Sequence, residues 1–379
     1  MVTVHFLPLF ASFNNFIYMP LPSELPEIKN KLERSQSWLQ QIKSEMASSE
    51  SLTTLPSSSP LAEHSRQSML FYRDYGGFTG GHLKVWDYFN HVKFSHRYDP
   101  FIYFTPQSSW DQNNPWLNSD KTFLLSDPLV NPALIFMEGL DWHFLDEHYK
   151  NNSQIPIINL IQHVRHAYPD NPRYSFLKYK AIRICVSPEI KTYLEETHQV
   201  NGELFVIPCG LDQSELPQPL DWEQKDCDIL ICALKEPILG QQLKKELEKT
   251  EKKVELLTAQ LPRAEYLQKL NCARMTVFLP NQQEGEGFYL PALEGMAVGT
   301  VVICPDCIGN RSFCLSWYNC IRPEYRVESL LNAIQQALQY PRSKIREILT
   351  QAKQTANEHS LLKERQAFLE ILDNIREIW

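Results

Sequence analysis

The segment PNQQEGEGFYLPALEGMAVGTVVICPD, residues 280–306, decides the fold class. An apolar strand ends at Pro280, a polar loop follows, and a helix carrying Glu294 leads into a second apolar strand. Strand, loop, helix and strand in this order predict one unit of a parallel α/β sheet. The helix should begin at the carboxyl end of the sheet, where open α/β folds bind ligands. Gly285 and Gly287 would let backbone amides there approach a phosphate closely.

Further apolar runs extend this pattern in both directions. The C-terminal series consists of DILICAL, KVELLT, MTVFLP and TVVICP; the N-terminal series begins at Met69–Tyr72 and continues with ALIFM, PIINLI, AIRICVS and LFVIP. Such unbroken apolar runs are typical of parallel strands covered on both faces. Two series joined by the Pro-containing stretch LDQSELPQPLDWEQ predict two Rossmann-like domains facing a cleft, residues 68–215 and 216–379. The second domain includes a strongly helical C-terminal stretch.

Residues 1–67 are predicted to lie outside this core. PEIKNKLERSQSWLQQIKSEM has helical spacing of its apolar residues, and the following MASSESLTTLPSSSPLAEHS is rich in Ser and Pro. The second stretch has too little apolar content to pack, so we expect an N-terminal helix followed by a flexible linker.

Composition limits the classes of function. The chain has 379 residues and a net charge of −8, which does not favour wholesale binding to nucleic acid or to an anionic membrane. The apolar start, MVTVHFLPLFASFNNFIYM, has no Lys or Arg before it, so a secretory signal is not predicted, although weak anchoring to a membrane surface stays an alternative. Nine scattered cysteines indicate a reducing compartment, and we expect a cytoplasmic protein.

The segment EGFYLPALEGMAVGTVV resembles the E-x7-E signature of the retaining GT-B glycosyltransferases. Glu286 and Glu294 have the required spacing, and LPRAEYLQKLNCARMTVFLP before them is similar to that family's lead-in. The resemblance extends more weakly from Phe71 to Arg322. It implies a GT-B fold and transfer of a sugar from a nucleotide sugar to an acceptor hydroxyl with retention, without a metal or other cofactor. The N-terminal domain would then hold the acceptor, and the C-terminal domain the donor.

The resemblance also implies roles for individual residues. Glu294 would accept hydrogen bonds from the ribose hydroxyls, and Glu286 would face the donor sugar or the acceptor side of the reacting centre. The donor would also contact the start of the helix, where the family's site residues correspond to Gly287, Phe288, Tyr289 and Leu290. Taken without the family, two glutamates eight residues apart commonly lie on a solvated helix face.

Two further stretches resemble site elements of the family. In GGFTGGH, residues 76–82, Gly80 and Gly81 would approach the pyrophosphate and the acceptor, although the same residues could form an ordinary tight turn. His163, after the apolar run PIINLI, matches a histidine that contacts the donor sugar. The alternatives are a structural histidine, or a role for the neighbouring Arg165 or His166 instead.

One motif departs from the family pattern. After the first strand of the donor domain, the family has Gly-Arg, whereas this chain has Cys232-Ala233. Lys235 remains as a cation for the donor phosphates, unless it is a solvated loop lysine. The residues that could replace the arginine are Arg274 and Arg311.

Several alternatives to a glycosyltransferase stay open. A catalytically silent GT-B partner subunit, or a module that only binds sugar nucleotides, would share these motifs. Cys304, Cys307, Cys314 and Cys320 could hold zinc, and Asp226-Cys227-Asp228 has the letters of a metal-binding D-x-D motif, although it begins a strand where that motif normally ends one. No G-x-G-x-x-G follows a first strand, which disfavours a dinucleotide enzyme. The acceptor, whether a saccharide, a lipid or a protein, has no short signature.

Overall fold

The computed structural model describes residues 66–152 and 154–379. The N-terminal helix and most of the linker predicted for residues 1–67 lie outside the described residues. Within the described part, two parallel sheets are each covered by helices, so the α/β class is confirmed. No helix of this part combines the length and the apolarity needed to cross a membrane.

The larger sheet contains the N-terminal series of strands. Its strand order is β3-β2-β1-β4-β5-β6-β7, and every neighbouring pair is parallel. The strands are β1 Gln67–Arg73, β2 Tyr98–Phe104, β3 Leu124–Leu125, β4 Leu134–Glu138, β5 Ile157–Ile161, β6 Ile182–Cys185 and β7 Leu204–Val206. All residues of β5 and β6 are buried, as the unbroken apolar runs predict.

The sequence analysis missed β2 because Pro100 interrupts its pattern. A proline lacks the N–H that a central strand needs, so it argues against a strand in sequence-based prediction. In the structure Pro100 lies opposite Met69 of β1, whereas the outer neighbour β3 pairs only with Ile102 and Tyr103. Pro100 therefore lies at a position where β2 is in effect an edge strand and its missing donor costs nothing.

The smaller sheet contains the C-terminal series. Its order is β11-β10-β8-β9, again all parallel. The strands are β8 Cys227–Cys232, β9 Val254–Leu257, β10 Ala273–Phe278 and β11 Val301–Ile303. The same four strands were predicted from the sequence, with ends shifted by one or two residues.

Helices connect and cover the strands. The α-helices are α1 Gly80–Val92, α2 Glu147–Lys150, α3 Pro188–Glu196, α4 Pro237–Leu247, α5 Arg263–Cys272, α6 Leu290–Ala297, α7 Val327–Gln339, α8 Arg342–Glu358, α9 Leu361–Asp373 and α10 Ile375–Ile378. Short 3₁₀ helices occupy Pro115–Asn118, Lys121–Phe123, Asp141–Phe144, Val164–Ala167 and Pro172–Lys178. The side chain of Thr79 accepts a hydrogen bond from the N–H of His82 and so caps the start of α1.

The C-terminal helix α9 returns to the N-terminal domain. The N–H of Leu211 donates to the carbonyl of His359, and the N–H of Leu361 donates to the carbonyl of Leu211. Phe368 of α9 then packs edge-on against Tyr88 of α1, with ring centroids 4.7 Å apart. Burying one such aromatic side chain stabilises a fold by about 1.5–3 kcal/mol, so this contact ties the chain's end to the large sheet.

Gly210 makes the crossing between the domains sterically feasible. A Cβ at this position would lie 2.6 Å from the carbonyl oxygen of Ser360 and from the nitrogen of Leu361. Gly210 is therefore required as a backbone position, because any side chain would push α9 away from the crossover.

Candidate functional site

The loop before α6 is held by the segment that follows β11. The N–H of Glu286 donates to the carbonyl of Cys307 at 3.0 Å, and the N–H of Tyr289 donates to the carbonyl of Gly309 at 2.9 Å. A Cβ on Gly309 would lie 2.7 Å from the nitrogen of Phe288. Gly309 is thus required by the close approach of two backbones. The sequence analysis did not single it out, because this contact joins two separate loops.

Gly287 brings this loop against the large sheet. A Cβ on Gly287 would lie 1.7 Å from the carbonyl oxygen of Gln162, which follows β5, so only glycine allows the approach. The side-chain amide of Gln162 donates to the carbonyl of Gly81 at 3.0 Å. A Cβ on Gly80 would lie 4.0 Å from the side chain of Leu290. The glycine-rich loop, the end of β5 and the start of α6 therefore meet at one place.

Glu286 is held at this meeting point by a cation and a backbone amide. The Nζ of Lys235 lies 2.6 Å from Oε1 and 2.8 Å from Oε2 of Glu286. The N–H of Asn281 donates to Oε1 at 3.0 Å. The Glu286 side chain is 11% exposed and that of Lys235 is 52% exposed, so the pair stands at the mouth of the site with the lysine in solvent.

His163 contacts the same loop from the opposite domain. Its Nδ1 accepts a hydrogen bond from the N–H of Arg165 at 3.1 Å, and its ring is also hydrogen-bonded to the backbone of Gly285. Burial, and then the charge of Arg165, lower the pKa of His163 to about 4. At neutral pH the ring is therefore uncharged, and with Nδ1 accepting it carries its proton on Nε2. His163 therefore adds no charge to the site, and its single N–H is bonded to the backbone of Gly285.

Glu294 is buried in α6 and is bound to an arginine that the sequence analysis missed. Oε1 of Glu294 accepts from Arg263 at 2.7 Å, and Nε of the same guanidinium donates to Glu215 at 2.8 Å. Arg263 is the first residue of α5. A cation at the start of a helix opposes the helix dipole, and this was the available signal that Arg263 has a carboxylate partner.

The side chains around the start of α6 belong to the core. Tyr289 and Leu290 are buried, and the Phe288 ring stacks on Phe313 with centroids 5.0 Å apart. These residues could therefore meet a ligand mainly through their backbone. Within residues 66–152 and 154–379, the N–H groups of Gly287 and Phe288 have no acceptor, whereas that of Tyr289 is bonded to Gly309.

A buried ion network supports the glycine-rich loop from below. Arg73, at the end of β1, binds Glu138 and Asp141, both at 2.7 Å, and its Nε donates to Nδ1 of His82 at 2.8 Å. Burial first, and then the charge of Arg73, lower the pKa of His82 to about 3. His82, the last residue of the glycine-rich motif, is thus a neutral acceptor that positions the start of α1. The sequence analysis did not identify Arg73, Glu138 or Asp141.

The suggested substitutes for the family's arginine are both bound elsewhere. Arg274 donates to Asp228 at 2.6 Å, at the amino end of the small sheet and so at the edge opposite Glu286. Arg311 forms three hydrogen bonds to the carboxylate of Asp306, the shortest from its NH2 at 2.6 Å. Arg274 is therefore wrong as a phosphate ligand, and the interpretation of Asp228 as part of an incidental motif agrees with its structural pairing.

The cysteine cluster is packed into the fold. All nine cysteines are free thiols, and Cys304, Cys307, Cys314 and Cys320 are buried. The amide of Asn310 donates to the sulfur of Cys304 at 3.3 Å and to the carbonyl of Pro305 at 2.8 Å. Among the described residues, no group of three or more His, Cys, Asp or Glu side chains is arranged to hold a metal ion. These thiols support the loop that carries Cys307 and Gly309.

Comparison with known proteins adds evidence on the fold. No protein-family model matches the chain, and no curated protein matches it in sequence. Solved structures of similar fold include sucrose-phosphate synthase from Thermosynechococcus elongatus, with a TM-score of 0.63 and 13% identity over 82% of this chain and 100% of that one. HepE of Anabaena in complex with UDP-glucose has a TM-score of 0.62 and 13% identity, again over 82% of this chain and 100% of that one. A glycosyltransferase from Rickettsia africae has a TM-score of 0.56 and 14% identity, covering 82% of this chain and 99% of that one.

The two parallel sheets of this chain, with their flanking and C-terminal helices, match the GT-B fold of these glycosyltransferase structures. The described residues therefore have the GT-B fold, and the predicted fold class is confirmed.

Proposed function

We propose that the chain is a nucleotide-sugar-dependent glycosyltransferase that transfers a sugar to an acceptor hydroxyl with retention of configuration. One observation carries this proposal: the Glu286–Gly287 loop, His163 and the Gly80–Gly81 loop meet where the carboxyl edges of two sheets face each other. In open α/β sheets this edge is where ligands bind. The likeness to HepE, which was solved with UDP-glucose, makes UDP the first donor nucleotide to test.

In this proposal Glu294 holds the ribose. One carboxylate oxygen is held by Arg263, and the second would accept hydrogen bonds from the ribose hydroxyls. Arg263 fixes the carboxylate's orientation in advance, because its own guanidinium is held in place by Glu215. The nucleotide would then lie along α6 with its phosphates near the start of that helix.

The leaving diphosphate would gain charge as the anomeric C–O bond breaks. The unpaired N–H groups of Gly287 and Phe288, at the positive end of α6, would stabilise this charge. Lys235 could also serve, provided that it exchanges Glu286 for a phosphate oxygen. His163 would donate its Nε2 hydrogen to a sugar hydroxyl in exchange for its bond to the backbone of Gly285.

Retention is proposed from how the carboxylates are bound. Glu286 is already bound by Lys235 and by the N–H of Asn281, which lowers its nucleophilicity. We therefore favour attack from the face that the diphosphate leaves, with a phosphate oxygen taking the acceptor's proton. This route needs no metal ion, because the positive charge comes from side chains and helix amides.

One observation favours the second candidate, a silent subunit that binds but does not transfer. Cys232-Ala233 stands where the family has Gly-Arg, and Lys235 is paired with Glu286. Such a subunit would bind a nucleotide and show no turnover, so binding and turnover must be measured separately.

The first experiment is a thermal-shift screen of the full chain with UDP, GDP, ADP and their common sugar conjugates. Stabilisation by one nucleotide, followed by release of that nucleotide from its sugar conjugate, supports a transferase. Stabilisation with no release in the presence of acceptor mixtures supports the silent subunit. No stabilisation by any nucleotide at millimolar concentration contradicts both candidates.

Glu286→Gln then tests the proposed place of Glu286. Turnover should fall by about 10-fold or more while nucleotide affinity changes little, because the side chain is proposed to face the reacting sugar. Equal losses in turnover and in nucleotide affinity would contradict that placement.

A further inference from the structure

The proposed donor site needs more positive charge than the small sheet provides. A nucleoside diphosphate is an anion, and transferases neutralise it with cations and helix amides. Around the carboxyl edge of the small sheet, Arg263 is bound to Glu294 and Glu215, Arg311 is bound to Asp306, and Lys235 is bound to Glu286.

The opposite domain carries two arginines on two 3₁₀ helices that pack against each other, Val164–Ala167 and Pro172–Lys178. His163 lies within electrostatic range of Arg165, Arg173 and Lys235, and all three cations help to lower its pKa. Arg165 and Arg173 are also close enough for the charge of Arg165 to lower the pKa of Arg173, after the larger effect of burial. The charges of three cations, two from the large-sheet domain and one from the small-sheet domain, therefore act on one neutral histidine.

Arg165 spans the cleft but has weak partners. Its NH1 reaches Glu284, in the loop before α6, at 3.3 Å, and the two side chains are 32% and 56% exposed. Its Nε is buried and has no hydrogen-bond partner within the described ranges. A long, exposed ion pair contributes little stability, so Arg165 can release Glu284 at small cost.

Arg173 has no carboxylate partner in residues 66–152 and 154–379. Its NH1 donates to the side-chain oxygen of Asn171 at 3.4 Å, and its guanidinium lies beside Gly139, where a Cβ would be 3.8 Å from Nε. The nearby carboxylates of Glu138 and Asp141 are both engaged by Arg73 at 2.7 Å. A half-buried guanidinium left in this state is suited to bind an anion from outside the chain.

We propose that Arg165 and Arg173 bind the diphosphate of the donor and replace the arginine that is missing after β8. The inference rests on the proposed function and adds to it the source of the phosphate-binding charge. The donor diphosphate is favoured over an anionic acceptor because Arg165 already contacts the loop before α6. Gly287 of that loop packs against Gln162, three residues before Arg165.

This arrangement couples donor binding to contact between the domains. Glu294 and the start of α6 belong to the small sheet, whereas Arg165 and Arg173 follow β5 of the large sheet. A donor held by both would bridge the cleft. Loss of the diphosphate product would remove that bridge.

The test is calorimetric titration of the full chain, at low salt, with UDP, uridine and inorganic pyrophosphate. Arg165→Ala and Arg173→Ala should each weaken binding of UDP and of pyrophosphate by about 10-fold to 100-fold, the scale of a lost charged hydrogen bond. Uridine, which lacks phosphates, should bind the variants within about 2-fold of the parent chain. Arg165→Lys and Arg173→Lys should recover part of the loss, because they retain the charge without the bidentate geometry.

Arg326→Ala is the matched control. It removes the same charge from an arginine that is 63% exposed and bound to Glu324 in the turn before α7. Its UDP affinity should equal that of the parent chain. Melting temperatures of all variants show whether any affinity loss reflects unfolding.

Each other outcome overturns the inference. Unchanged UDP affinity in both alanine variants, with a raised KM for an acceptor, would assign the arginines to the acceptor. Equal losses for UDP and uridine would make their role structural. In both cases the parent chain binds UDP, so the proposed function stands. If the parent chain binds none of UDP, GDP, ADP and pyrophosphate, both proposals fail.

Glu284→Gln tests the same proposal through a substitution that should strengthen UDP binding. The carboxylate competes with the phosphates for Arg165, so its removal should strengthen UDP binding by about 2-fold to 5-fold. Uridine affinity should not change. Weaker UDP binding in this variant would contradict the competition between Glu284 and the diphosphate.

Discussion

Two lysine–glutamate pairs in this molecule have the same distance and opposite surroundings. Lys84 and Glu364 join α1 to α9 at 2.6 Å, with side chains 1% and 0% exposed. Lys235 and Glu286 stand at the candidate site, also at 2.6 Å, with side chains 52% and 11% exposed. Since the charges and the distance are alike, the two pairs differ in how far solvent reaches them.

The buried pair is enclosed by further partners. Oε1 of Glu364 lies 3.1 Å from Nε2 of His91, and Oε2 accepts from the N–H of Gly210. Lys84 also donates to Asp87 at 2.7 Å and to the carbonyl of Gly210 at 3.2 Å. Two charges taken out of water are tolerated only with such full pairing. This pair is therefore a structural ion pair that holds the two domains together.

The exposed pair, Lys235 and Glu286, has fewer hydrogen-bond partners. Glu286 has one backbone donor besides Lys235, and the lysine is half in solvent, so separating the two exchanges protein contacts for water. A pair of this kind can exchange partners with a ligand. Burial, and not the residue types, thus distinguishes a structural ion pair from one suited to function.

Breaking the buried pair should have the largest effect on stability. Glu364→Gln leaves Lys84 buried with a weaker partner, and we expect a loss of about 3–5 kcal/mol in the free energy of unfolding. Denaturant titration measures it. Glu370→Gln, on the exposed side of the same helix, is the control and should change stability by less than about 0.5 kcal/mol. A similar loss of stability in both variants would contradict the structural role of the Lys84–Glu364 pair.

The Arg263–Glu294 pair is intermediate, with side chains 26% and 4% exposed. Glu294→Ala should weaken nucleotide binding by about 1–3 kcal/mol, the scale of an unsatisfied polar group in a site. Titration with UDP measures this, and the exposed Glu328→Ala on α7 is the control. Unchanged affinity in Glu294→Ala would remove Glu294 from the proposed ribose site.

His163 extends the comparison of buried and exposed charges, because burial keeps its imidazole uncharged at neutral pH. Its folded pKa is about 4 against an ordinary 6.5, so between these pH values the unfolded chain binds a proton that the folded chain does not. Stability from this group is complete above pH 6.5 and is lost as the pH falls toward 4. His163→Asn keeps a capping side chain, and unfolding should then depend less steeply on pH in this window.

The control for this experiment is His198→Asn, which replaces an exposed histidine. It should leave the slope of stability against pH as in the parent chain. Equal slopes in the parent and in His163→Asn would show that His163 does not contribute.

Breaking the exposed pair should have the smallest effect on stability. Lys235→Gln should change the free energy of unfolding by less than about 1 kcal/mol, as for other exposed ion pairs. The same denaturant titration tests it alongside Glu364→Gln. A loss as large as that of the buried pair would show that solvent exposure does not separate the two.

The sequence predicted most strands because apolar runs mark buried parallel strands independently of their neighbours. It missed β2 because the cost of Pro100 depends on how far β3 extends along its outer side. Resemblance to a family's motifs singled out Glu286, Glu294, Gly287 and His163. The sequence analysis missed Arg263, Gly309 and Arg73, whose partners lie far away along the chain.

The sequence by itself determined the α/β class, the order of the strands along the chain and the residues that stand at their carboxyl ends. These depend on local pattern, because burial on both faces and helix periodicity are properties of short segments. Only the tertiary structure decided which charges meet. The same residue types give a buried structural pair at Lys84 and a solvated pair at Lys235, because desolvation depends on how distant segments pack together.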